Sequence, residues 1–145
     1  MNPVNKDRSG RELRGSRARL RRRAAALVEF AICLPVLVLV ILGSIEAATA
    51  VFVRQGLTVA AYEGIREAIR IDGNLSTARG RAQAVLDQRS IKGAKISFQP
   101  ANPMTLPRGE IVTLRVESTL GANSPFFGSV LQNRRILVST SMVRE

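Results

Sequence analysis

Histidine and tryptophan are absent from this chain of 145 residues, and cysteine occurs once. Without histidine there is no imidazole base, no histidine-based metal site and no side chain that ordinarily titrates near neutral pH. A lone cysteine, Cys33, rules out an intramolecular disulfide and a cysteine-rich zinc site. Five phenylalanines and one tyrosine are all the aromatic residues, too few for a base-stacking surface. Acidic residues are scarce too, 11 against 22 lysines and arginines, for a formal net charge of +11. The sequence holds neither a glycine-rich strand–helix phosphate loop nor a nucleophile beside a base. These absences argue against an enzyme, a cofactor, a bound metal or a small-molecule substrate. Membrane attachment, assembly and charge-based binding remain.

The positive charge is concentrated at one end. Residues 1–23 carry nine basic and two acidic side chains, with only Val4, Leu13 and Leu20 as larger aliphatics. Such a segment buries too little apolar area to offset ordering entropy and reads as a disordered tail. Arginines attract nucleic-acid phosphate, yet nothing further along resembles a base-reading module. From Ala24 to Val53 the chain runs thirty residues with Glu29 and Glu46 as its only charges. About 20 helical residues cross a bilayer core, so 24–53 reads as a transmembrane helix. Arg17, Arg19, Arg21, Arg22 and Arg23 directly before it form a topology signal that holds this end in the cytoplasm beside anionic lipid. No nucleic-acid partner is expected.

The same stretch admits a second reading. A basic region, an apolar run and Ala48-Thr49-Ala50 have the order of a secretory signal, and cleavage after Ala50 would release a soluble binding protein. The apolar run exceeds the usual ~7–15 residues of a signal core, and its helical character continues past Ala50. A permanent anchor is the primary expectation and the exported soluble protein the alternative.

Within the span, Pro35 predicts a mild kink, and Cys33 is a small apolar residue or an intersubunit thiol. A carboxylate at mid-bilayer costs about 2.5–3.5 kcal/mol on insertion scales. Glu29 lies six residues past Arg23, about 9 Å along a helix. It is therefore either an interfacial carboxylate neutralised by Arg22 or the partner of a positive group on another subunit. Glu46 falls at the opposite membrane boundary.

Arg23-Ala-Ala-Ala-Leu-Val-Glu-Phe-Ala31, Leu34-Pro35 with its aliphatic run, and Gly43-Ser-Ile-Glu46 together resemble the TadE-like family, pseudopilin-related proteins of tight-adherence (Flp-type) pilus systems. The likeness continues from Val53 to Ala68. It implies a single-pass protein of the bacterial inner membrane, its N-terminus cytoplasmic and its C-terminal head outside, serving as a minor pseudopilin-like component of a pilus or related secretion apparatus. Its implied partners are membrane lipid, other pilus-assembly subunits and a prepilin peptidase. The wider pilin pattern implies a cut between Ala24 and Ala25, making Glu29 the fifth mature residue, available for charge pairing in assembly. Pilins usually carry glycine where Ala24 stands.

Residues 54–145 read as an α+β head. Leu57, Ala61, Ile65 and Ala68 form an amphipathic stripe that carries the helix on over 54–70, with Glu63/Arg66 and Glu67/Arg70 as surface pairs. Asp72-Gly73-Asn74 ends it, since glycine and asparagine take positive φ readily. Ser76 or Thr77 then caps a second helix over 77–89, with Ala78, Ala82, Val85 and Leu86 inward. Alternation predicts strands near 95–99, 111–118 and 135–143, hence a three-stranded or larger antiparallel sheet with its apolar side under the helix, in a pilin-like arrangement. The long connection before the last strand carries Phe126 and Phe127. They read as a lid on the core or an exposed partner patch.

Overall fold

A computed structural model describes residues 6–70, 73–103 and 107–144, with side chains from residue 21 onward. The chain divides into two compact units, Met1–Gly43 and Ser44–Glu145.

The first unit is helical. Helix α1 spans Lys6–Ile69 and passes through Pro35 without ending. The helix begins at Lys6, within the segment expected as a disordered tail over 1–23, of which residues 1–5 lie outside the described residues. Arginine and leucine are good helix formers and no proline or β-branched residue interrupts 6–23, so intrinsic propensity extends the helix with no apolar core of its own. The side chains of Arg17 and Arg19 lie outside the described ones. From Arg21 to Ile41 every residue is exposed, including Leu27, Phe30, Ile32 and Leu37. This is the one helix, among the described residues, long and apolar enough to cross a membrane. Ala24–Gly43 is twenty residues, about 30 Å of helix, the thickness of a bilayer core.

The second unit, the head, takes over at Ser44. The stripe expected from periodicity is buried: Leu57, Ala61, Ile65 and Ala68 join Val53 and Ala60 in the core. It also reaches back to Glu46, whose carboxylate is buried. Glu46 and Val53, both inside the expected span over 24–53, are thus buried in the head. Glu46 and Val53 sit seven and four residues before the next stripe positions, on the face that packs against protein, whereas Val51 and Phe52 between them are exposed.

Helix α2, Leu75–Gln88, packs Ala78, Ala82 and Leu86 against that stripe. Its cap is Asn74, not Ser76 or Thr77: the Asn74 side chain accepts from the Ser76 amide at 2.9 Å. The helix accordingly starts two residues earlier than expected. Asn74 has an ordinary extended backbone at φ −121°, and Gly73 is required by crowding. A Cβ there would meet the Glu67 carbonyl oxygen at 2.5 Å. Of the two expected surface pairs, Arg70–Glu67 forms at 3.2 Å, whereas Glu63 and Arg66 form no ion pair among the described residues.

Strands β1 (Lys95–Gln99), β2 (Ile111–Thr119) and β3 (Arg135–Val143) make one antiparallel sheet in chain order. The register pairs Phe98 with Leu114, and Val116 with both Ile96 and Val138. Period-two alternation therefore puts Phe98, Val112, Leu114 and Val116 on the buried face, with Ile136, Val138 and Met142 half-buried beside them. The fold is α+β, as the sequence predicts.

Candidate functional site

Glu46 gathers a buried polar site in the head. One carboxylate oxygen, Oε1, accepts three hydrogen bonds: from the Ser124 hydroxyl at 2.7 Å, the Phe127 amide at 2.9 Å and the Phe126 amide at 3.0 Å. Ser124 Oγ in turn accepts from the Phe127 amide at 3.0 Å. The other oxygen, Oε2, is buried without a hydrogen-bond partner among the described residues. Burial pushes the Glu46 carboxyl up. The Ser124 hydroxyl and the Phe127 and Phe126 amides outweigh that and hold it below its ordinary value.

The loop on Glu46 is itself closed. Leu120 N–H donates to the Arg134 carbonyl at 2.8 Å, bringing its ends together, and Val130 and Leu131 both donate to the Phe127 carbonyl at 3.0 Å. Gly121 lies so near Gly128 that a Cβ would meet its carbonyl oxygen at 2.6 Å. This is an Ω-type loop, compact and internally bonded. Asn123 fastens its first half to the segment before β1. Its Oδ1 accepts from the Lys92 amide at 2.9 Å, and its Nδ2 donates to the Lys92 carbonyl, Ser118 Oγ and the Thr119 carbonyl, each at 3.1 Å. Buried Ser118 completes the cluster by donating to the Lys92 carbonyl at 2.8 Å.

Of the residues singled out in the sequence, the structure brings together Glu46, Phe126 and Phe127. Phe126 is exposed and Phe127 half-buried, and neither joins the core cluster. Glu29, Arg21, Arg22, Arg23, Ala24 and Ala25 are exposed along α1 in the other unit. Cys33 is a free, exposed thiol. Periodicity could have assigned Glu46 to the head, because it falls on the core stripe. Ser118, Ser124 and Asn123 gave no such signal, since their partners are remote in sequence or are backbone groups.

These features define a class: a small α+β head on a helix fit for single-pass membrane anchorage, with an internal carboxylate pinning one loop. The model of the TadE-like protein family matches residues 24–66, the exposed apolar helix together with most of the head's core stripe. That TadE-like segment suggests involvement in Tad pilus assembly. No curated protein and no solved structure gives a match to the chain.

Proposed function

We propose that this chain is a non-enzymatic structural component of a Tad/Flp-type pilus or related secretion apparatus, minor pseudopilin-like, held in the bacterial inner membrane. Its N-terminus is cytoplasmic and its head extracytoplasmic, in keeping with Arg21, Arg22 and Arg23 immediately before the apolar segment. The observation that carries the reading is the overlap of the TadE-like match over 24–66 with Ala24–Gly43, which is exposed but for half-buried Leu42, uncharged except at Glu29, and of bilayer length. It acts by anchoring and by lateral packing against neighbouring pilus subunits.

Glu29 supports that packing in one of two ways. A prepilin peptidase cut between Ala24 and Ala25 creates an ammonium group that pairs with Glu29 of a neighbour. Without the cut, Glu29 is balanced by the preceding arginines. An unpaired carboxylate at that depth is costly in either case. The intact mass of membrane-extracted protein separates the two, since a processed chain begins at Ala25.

Release by cleavage after Ala50 fits the head poorly. It would sever α1 within the head unit and remove Glu46, leaving the Phe126 and Phe127 amides without their acceptor. The test is fractionation and topology of a C-terminally tagged protein. Carbonate-washed membranes should retain it, and added protease should remove the tag in spheroplasts. A carbonate-soluble product, or a tag protected in intact spheroplasts, would overturn the reading. Deleting the gene should also abolish Flp-type piliation, and normal pili in the deletion strain would remove the assembly role.

A further inference from the structure

Leu120–Asn133 is a fourteen-residue run without a charged side chain, in a protein that is 23% charged. Much of the loop's polar backbone is turned inward, onto Glu46, Arg134 and the loop itself. Its outward residues include a cluster of apolar side chains, Pro125, Phe126 at 55% exposed and Val130 at 76%, with the uncharged Ser129, Gln132 and Asn133 beside them. Exposed Arg134 and Arg135 follow at once. An apolar tip whose amides are internally bonded, with cations at its rim, suits the boundary between acyl chains and headgroups.

The position of the anchor says which apolar phase is near. Glu46 lies three residues beyond Gly43 on the same helix, about 4.5 Å along its axis. The proposed span ends there, so the loop is fastened at the depth where hydrocarbon gives way to headgroups. We infer that the Leu120–Asn133 loop is a second membrane contact. Phe126 and Val130 enter the outer interface of the bilayer that holds the span, and Arg134 and Arg135 meet lipid phosphates. The Glu46 carboxylate is the clasp that keeps the tip in place. This inference rests on the single-span reading, and it goes beyond that reading by giving the head its own lipid-binding surface.

The absence of native tryptophan makes the test direct. Phe126→Trp, Val130→Trp, Ile111→Trp and Leu37→Trp are made singly in the full chain. Each is reconstituted at low density in phosphatidylethanolamine/phosphatidylglycerol bilayers containing lipid brominated either near the headgroup or near the chain end. Ile111 opens β2, eight residues from the strand end that leads into the loop, about 26 Å away, and serves as the remote control. The indoles at positions 126 and 130 should lose fluorescence to shallow bromines, the one at 37 to deep bromines, and the one at 111 to neither. Quenching at 37 with none at 126 or 130 overturns the loop's lipid contact and leaves the span intact. No quenching at 37 defeats the span reading itself. Indoles at 126 and 130 shielded from both bromine and aqueous acrylamide would mean that protein covers the loop, which also overturns the inference. Val130→Trp answers the question should Phe126→Trp misfold.

Discussion

Glu46 is acted on by two opposed effects: burial favours its neutral form, and three donors favour its charged form. The donors prevail, so the folded carboxyl titrates below its unfolded value. Linkage gives the sign. The charged clasp stabilises the folded head at pH above the ordinary glutamate value of about 4.3, and that contribution is lost as pH falls below it through the lower folded value. Amide exchange at Phe126 and Phe127 should therefore be protected at neutral pH and lose protection on acidification. In Glu46→Gln, which cannot ionise, that acid-dependent step should vanish. A step of equal size in the variant would show that some other group controls the loop. Glu46 was visible in the sequence as one of two charges in an apolar segment. Its partners were not, because Ser124 and the two amides lie about eighty residues away.

Helix α1 contacts α2 and the sheet closely at Gly64. A Cβ at this position would lie 2.9 Å from the Ala82 Cβ and 2.8 Å from a Leu114 methyl group. Glycine here permits packing. Gly64→Leu should destabilise the head by at least the ~1–3 kcal/mol typical of overpacking, read as a lower denaturation midpoint. Gly80 on α2 meets nothing within 4 Å of a built Cβ, so Gly80→Ala should leave stability unchanged or raise it by up to ~1 kcal/mol through helix propensity. At the start of the same helix, Asn74→Ala removes the cap and should cost about 0.5–2 kcal/mol. Ser76→Ala should cost less, because alanine keeps the amide that donates to Asn74 Oδ1 at 2.9 Å and loses only the exposed hydroxyl bond at 3.1 Å. Equal losses at 74 and 76 would contradict the cap assignment. Strand positions were the most readable elements, since alternation at Val112, Leu114 and Val116 maps directly onto one buried face. The cap was less readable because asparagine and serine compete for the same role.

Taken as one molecule, the chain divides its apolar residues in two: the head buries its apolar stripe in protein, and Ala24–Ile41 leaves its apolar side chains exposed. Leu37→Arg tests that division. A charge at the centre of a span costs about 2.5–3.5 kcal/mol on insertion scales, so the variant should integrate poorly and shift toward the carbonate-soluble fraction. The purified head's denaturation midpoint is the wrong readout for this variant; the membrane fraction is the right one. Unchanged integration would mean that the segment does not reside in hydrocarbon.

Composition and periodicity were enough for the α+β class, the three strands and the inward face of both helices, and the motifs between Arg23 and Ala68 carried the family resemblance, because each depends on side chains near one another along the chain. The meeting of Glu46 with a loop some eighty residues later, the close approach at Gly64 and the point where apolar sequence stops serving the span and starts serving the head depended on folding. A leucine or valine reads alike whether lipid or protein surrounds it. Only the packing of the chain in three dimensions distinguishes the two.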